Sequence, residues 1–228
     1  MKRTRKIIIL NIAFLGVILF SIIYVDKPLS AFVADELMGI KQFFFNFTFA
    51  FDRLSYHILW FITLSFVLGL MFLFNKKTKE LGFILLTLCF AHVTASAITN
   101  NMKMEFKRAR PNMYFQEDGK TVDFYNEQTR DYSFPSGHTS FYLSLFLPAA
   151  LVFRRYSPYI LFIPAVIALG RIIQNEHYLS DVLCSILIVF NVCILLLWLF
   201  YWLDNTLINF KNKRIEKRKT KYNTKLAK

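Results

Sequence analysis

The chain has 228 residues, 55% of them hydrophobic, with 26 Phe and a formal net charge of +13. Long apolar runs broken by short charged segments exclude an ordinary soluble domain and predict an all-α polytopic membrane protein. The charge gathers at residues 2–6 and in the tail from Lys211 onward. Both ends flank membrane segments and lack a pattern of stacking aromatics, so they point to anionic lipid headgroups rather than nucleic acid.

In chain order, residues 7–25 are continuously apolar after a basic start. The run exceeds an ordinary signal-peptide core and no small-x-small site follows it, so it reads as a retained first helix. Residues 26–56 mix Phe43, Phe44, Phe45 and Phe47 with Asp35, Glu36, Lys41, Asp52 and Arg53. That pattern predicts an interfacial amphipathic segment after helix 1. Residues 57–74 and 81–99 form the second and third spans. A polar, aromatic-rich loop with an Asp118-Gly119 turn signal follows at 111–135. Residues 137–153, 158–173 and 179–203 complete a six-transmembrane-helix bundle over 1–203, and 204–228 form a basic tail. Cys89, Cys184 and Cys193 lie inside apolar runs without CxxC spacing, which argues against a disulfide framework or a zinc site.

Threading six helices puts the basic clusters at residues 2–6, 76–79, 154–155 and 211–221 on one side. By the positive-inside tendency that side is the cytoplasm, with both termini there. Three polar motifs then emerge together on the outer face.

The first motif is Lys103 to Arg110-Pro111. Spaced seven apart, Lys103 and Arg110 share a face if the segment is helical, either binding an anion or snorkelling to headgroups. The second is Ser136-Gly137-His138 at a helix start. Ser136 offers a hydroxyl to phosphate or caps the helix, and Gly137 lets backbone amides approach an anion. His138, at the edge of a span, is a functional candidate by default. The third is Arg171, His177 and Asp181. At i and i+4, Asp181 can orient the imidazole for attack or the pair can simply cap a helix. His92 lies mid-span, where an interhelical hydrogen bond is the better reading than catalysis.

In order and spacing these motifs resemble the three-part signature of the type 2 phosphatidic acid phosphatase superfamily, over roughly residues 80–200. The resemblance implies a membrane phosphatase working without metal or other cofactor. His177 would be the nucleophile that becomes phosphohistidine, Asp181 its orienting acid and His138 the general acid. Lys103, Arg110, Arg171, Ser136 and the Gly137 amide would hold the phosphate. One departure stands out, because the family often has Ser where this chain has Gly170.

The implied substrate is a lipid phosphate at the periplasmic face of a bacterial inner membrane. Lipid A is favoured, with undecaprenyl diphosphate or phosphatidylglycerol phosphate as alternatives. A non-catalytic anionic-lipid binder or transporter would keep the cations without needing the His177 and Asp181 pair. Vanadium haloperoxidases share such a pocket but resemble soluble proteins, which this chain does not.

Overall fold

The computed structural model describes residues 2–116, 123–127 and 131–226, with side chains placed for 5–37, 39–53, 55–113, 123–127 and 131–206. The Asp118-Gly119 turn, the side chains of Tyr114 and Phe115 and those of the tail from 207 onward lie outside the described residues. Among the described residues the chain is all helical, without strands.

Helix α1 (Lys2–Phe20) runs through a π-helical turn at Ser21–Val25 into α2 (Asp26–Glu36). Then come α3 (Met38–Ser55), α4 (Ile58–Leu73), α5 (Lys79–Phe106) and the short α6 (Pro111–Gln116). After the polar loop come α7 (Gly137–Val152), the single turn α8 (Ser157–Ile160), α9 (Phe162–Ile173) and the long α10 (Leu179–Leu226). Among the described residues three stretches are long and apolar enough to cross a membrane: Arg5–Glu36, Lys79–Met113 and Leu179–Thr206. Counting each bent pair as one span gives up to five, with α3 and α4 meeting at 58° and the α8 and α9 segments at 41°. The apolar α7 is shorter, at 16 residues.

Helix α5 packs on α4, α7 and α10, and α7 packs on α9 and α10. Their shared core joins Ala91 and Ala95 of α5, Leu143, Leu147 and Ala150 of α7, and Val189 and Cys193 of α10. Small residues let the backbones approach, the usual solution where lipid removes the hydrophobic drive between helices. Buried hydroxyls and amides then join the helices: Thr99 to Ser140 at 2.8 Å, His92 Nδ1 to Ser144 at 3.2 Å, and Asn191 to Asn11 at 2.6 Å. Each such bond contributes roughly 0.6 kcal/mol in a membrane. His92 thus makes the interhelical hydrogen bond its mid-span position suggested. The outward faces of α1, α4 and α10 carry exposed Ile, Leu, Phe and Trp, the surface a lipid solvent requires. All three cysteines are free and buried.

Residues 26–55 depart from the interfacial expectation in one respect. Helices α2 and α3 both pack on α9, and Asp26, Ser30 and Thr48 are buried there. Their polar groups bond to protein partners at the ends of α9 and α10 that carry the site.

Candidate active site

Lys103 lies in the last turn of α5, which stops at Phe106. Lys107 then adopts the left-handed conformation (φ 44°) and donates its N–H to the Lys103 carbonyl, closing the helix. Pro111 starts α6, where its fixed φ suits a first helical residue. The segment is not one helix, so Lys103 and Arg110 do not share the face that a continuous helix would have given them. Arg110 stands in the non-helical link and reaches the site from there.

That break sends Arg108 and Arg110 in different directions. Arg108 is fully buried and donates to Asp26 (2.9 Å), Asp123 (2.9 Å), Asp181 (2.8 Å) and the Ser180 hydroxyl (2.7 Å). Its guanidinium lies over the rings of Phe124 and Tyr178, at 4.7 and 4.0 Å. A buried guanidinium is tolerable only when paired and bonded this fully. Arg110 donates to Glu176 (2.5 Å) and Asp131 (2.6 Å) and keeps a buried Nε without a partner.

Ser136 is the N-cap of α7. It is fully buried, and its oxygen accepts from the Thr139 amide and hydroxyl at 3.4 and 3.0 Å. Its amide donates to the Asp181 carbonyl at 3.2 Å, which ties the second motif to the third. Around Gly137 space is open: a Cβ there would meet only Lys103 Cε, at 3.8 Å. The first helical amides of α7 and the Lys103 side chain thus adjoin, and the Lys103 ammonium donates to the Tyr132 carbonyl.

As the spacing of Arg171 and His177 required, α9 ends between them, at Ile173. Arg171 is mostly buried. It donates to Gln174 (3.1 Å), lies 3.5 Å from the Glu176 carboxylate, and keeps an unpartnered Nε. The connecting turn is held from outside the motif. Gln174 donates to Thr48 of α3 at 3.2 Å, and Asn175, left-handed at φ 57°, exchanges hydrogen bonds with Ser30 of α2.

His177 precedes α10 by two residues and is almost wholly buried. Asp181, in the first turn of α10, caps that helix by accepting from the Tyr178 amide at 2.8 Å. An acid three residues beyond the cap reaching back to its amide is half of a capping box. Asp181 Oδ1 receives Arg108, while Oδ2 stands 3.5 Å from His177 Nδ1, a contact too poor to satisfy that nitrogen. Burial, and then the neighbouring Lys103, Arg110, Arg171 and His138, hold the His177 imidazole well below its ordinary basicity. Both effects favour its neutral form.

His138, one residue inside α7, is partly exposed. Its Nε2 lies 3.1 Å from Asp52 Oδ2, and Asp52 Oδ1 accepts from Tyr142 at 3.0 Å. Asp52, Ser55, Gly137, His138, Phe141 and Tyr142 line a cavity of about 340 Å³ between α3 and α7. Among the described residues no cluster of three His, Cys, Asp or Glu is grouped to hold a metal ion.

The structure thus gathers Lys103, Arg110, Ser136, Gly137, His138, Arg171, His177 and Asp181 at one end of the bundle. Residues that sequence reasoning missed surround them: Arg108 with Asp26 and Asp123, Glu176, Ser30, Thr48 and Asp52. Sequence carried a faint signal for some of these, since acids and hydroxyls spaced along residues 26–52 are costly in an apolar setting without partners.

A family model described as the PAP2 superfamily matches residues 84–205. A lipid A 4′-phosphatase of Porphyromonas gingivalis is 33% identical over 123 residues, 51% of this chain and 51% of that protein, so the chain spans about half the length of the relative it matches. No solved structure matches the chain. The matched region is more than half of the sequence and contains all three motifs, from Lys103 to Asp181. The chain belongs to the PAP2 superfamily.

Proposed function

We propose that the chain is a membrane lipid-phosphate phosphatase working through a phosphohistidine on His177. One observation carries this reading: a buried imidazole beside two arginines whose Nε groups are buried without partners, next to the open amide end of α7. Unsatisfied buried donors are costly, and an oxyanion would satisfy them at once.

Nδ1 of His177 faces Asp181, which leaves Nε2 to attack phosphorus. The bond from phosphorus to the lipid oxygen breaks as His138 gives that oxygen a proton. Water then attacks the phosphohistidine, its proton returns to His138, and phosphate leaves with His177 again neutral. Asp181 Oδ2, 3.5 Å from Nδ1, stands where it can steady the ring as Nε2 attacks. Lys103, Arg110, Arg171 and the amides at Gly137 and His138 spread over the equatorial oxygens, where transferring phosphoryl groups carry charge. Ser136 supports them by fixing the start of α7. Losing one cation would cost about 10²–10³ in rate, by analogy with removing one oxyanion donor.

The substrate we favour is lipid A, on the similarity to the lipid A 4′-phosphatase. The site would open on the periplasmic side of a bacterial inner membrane, with six spans and both termini cytoplasmic. The test is phosphate release by the purified chain in detergent with chelator present, against lipid A, undecaprenyl diphosphate and phosphatidylglycerol phosphate. Release from lipid A above the others is expected, with His177→Ala inactive yet still binding lipid. Release that needs an added divalent metal, or that survives His177→Ala, would overturn the reading. Binding without release would make the chain an anionic-lipid binder.

A further inference from the structure

The family signature supplies a carboxylate for only one of the two imidazoles at the site. The structure supplies one for the other. Asp52 belongs to α3, outside the matched residues 84–205, and its Oδ2 lies 3.1 Å from His138 Nε2. Its other oxygen is fixed by the Tyr142 hydroxyl at 3.0 Å, one helical turn beyond His138 on α7. Three further contacts set the register of α3: Phe44 against Gly170, Thr48 with Gln174, and Phe51 edge-on to Tyr142 with ring centroids 6.2 Å apart.

Helix stability does not explain an acid there. Asp52 stands in the last turn of α3, at the negative end of the helix dipole, where a carboxylate is disfavoured. The carboxylate is placed for its partners instead, and both partners line the cavity beside Gly137.

We propose that Asp52 is a positioning residue for phosphoryl transfer, holding the His138 ring by Nε2 so that Nδ1 delivers the proton to the leaving alkoxide. As the bond from phosphorus to the lipid oxygen breaks, the proton moves from Nδ1 to that oxygen, and Nε2 keeps its own proton in the bond to Asp52. In the second half, the attacking water returns a proton to Nδ1. This inference rests on the phosphatase reading above.

Leaving-group chemistry separates this role from a merely structural tie between α3 and α7. An alkoxide needs the proton, whereas p-nitrophenolate departs without it. Full-length protein in detergent would be assayed on lipid A and on p-nitrophenyl phosphate, with vanadate inhibition measured alongside. Asp52→Asn is expected to lower kcat on lipid A about 10- to 100-fold, part of the ~10²–10⁴ that general acid catalysis supplies. On p-nitrophenyl phosphate, and in vanadate affinity, the change should stay within about threefold, since neither requires the proton. Tyr142→Phe, which removes only the second anchor of Asp52, should show the same selectivity with a smaller loss, and it decides the matter if Asp52→Asn does not fold. Equal losses on both esters, or no loss on lipid A, would overturn the role of Asp52 while leaving the phosphatase intact. Phosphate release surviving in His177→Ala would instead overturn the phosphatase reading, and this inference with it.

Discussion

His177 shows how burial and chemistry meet in one side chain. Removed from water and faced by Lys103, Arg110 and Arg171, its imidazole resists protonation, and an attacking nitrogen needs that neutrality. The sign follows directly. As pH falls through about 6.5 the unfolded chain protonates this His while the native ring does not, so its contribution to stability is lost in acid. The native ring stays neutral through that range. The rate of enzyme phosphorylation in single turnover should therefore hold on the acid side to well below pH 6.5. An acid limb centred near the ordinary imidazole value would contradict the burial argument. That His177, Arg171 and Lys103 meet at one site could be expected from the motifs and the resemblance they carry. Arg108 could not: two arginines separated by Ala109 look alike in sequence. Only the left-handed Lys107, with acids drawn from positions 26, 123 and 181, turns one inward and leaves the other at the site.

At the scale of elements, the sequence showed where apolar runs begin and end but not how polar segments pair. The breaks at Ile173 and before Gly137 follow from composition, because a long apolar run must stop where cations and imidazoles begin. The placement of α2 and α3 does not follow, since a segment that alternates Phe with charge suits either a membrane surface or a protein groove. Gly170 records the choice. A Cβ there would stand 3.0 Å from the Phe44 ring, so the serine usual in the family would push α3 away. Gly170→Ser should cost about 1–3 kcal/mol through overpacking and lower activity by displacing Thr48 and Asp52. Phe44→Leu in the same chain should recover part of both. The check is a pair of melting curves with phosphatase rates. Full activity and an unchanged melting temperature in Gly170→Ser would show that α3 does not press on α9.

At the scale of the whole molecule, hydropathy and charge led to a helical membrane protein, and the family match and apolar faces agree. What they left open is how bent pairs and the short α7 are counted as spans, because tilt and breaks are set by packing rather than by composition. Orientation is open to direct measurement. The native cysteines are buried, so single cysteines introduced at Glu127 and Lys77 would report against a quiet background. An impermeant thiol reagent should label the Glu127 position in intact cells and the Lys77 position only after lysis. The reverse pattern would put the site in the cytoplasm and end the case for a periplasmic substrate.

The central claim is that three separated segments meet around one phosphate with His177 as the attacking group. Rapid quenching of the purified chain with a ³²P-labelled lipid phosphate, followed by peptide mapping, tests it most directly. The account predicts an acid-labile, base-stable label on the peptide containing His177, absent in His177→Ala. Turnover with no label on that peptide, or continued turnover in His177→Ala, would contradict it.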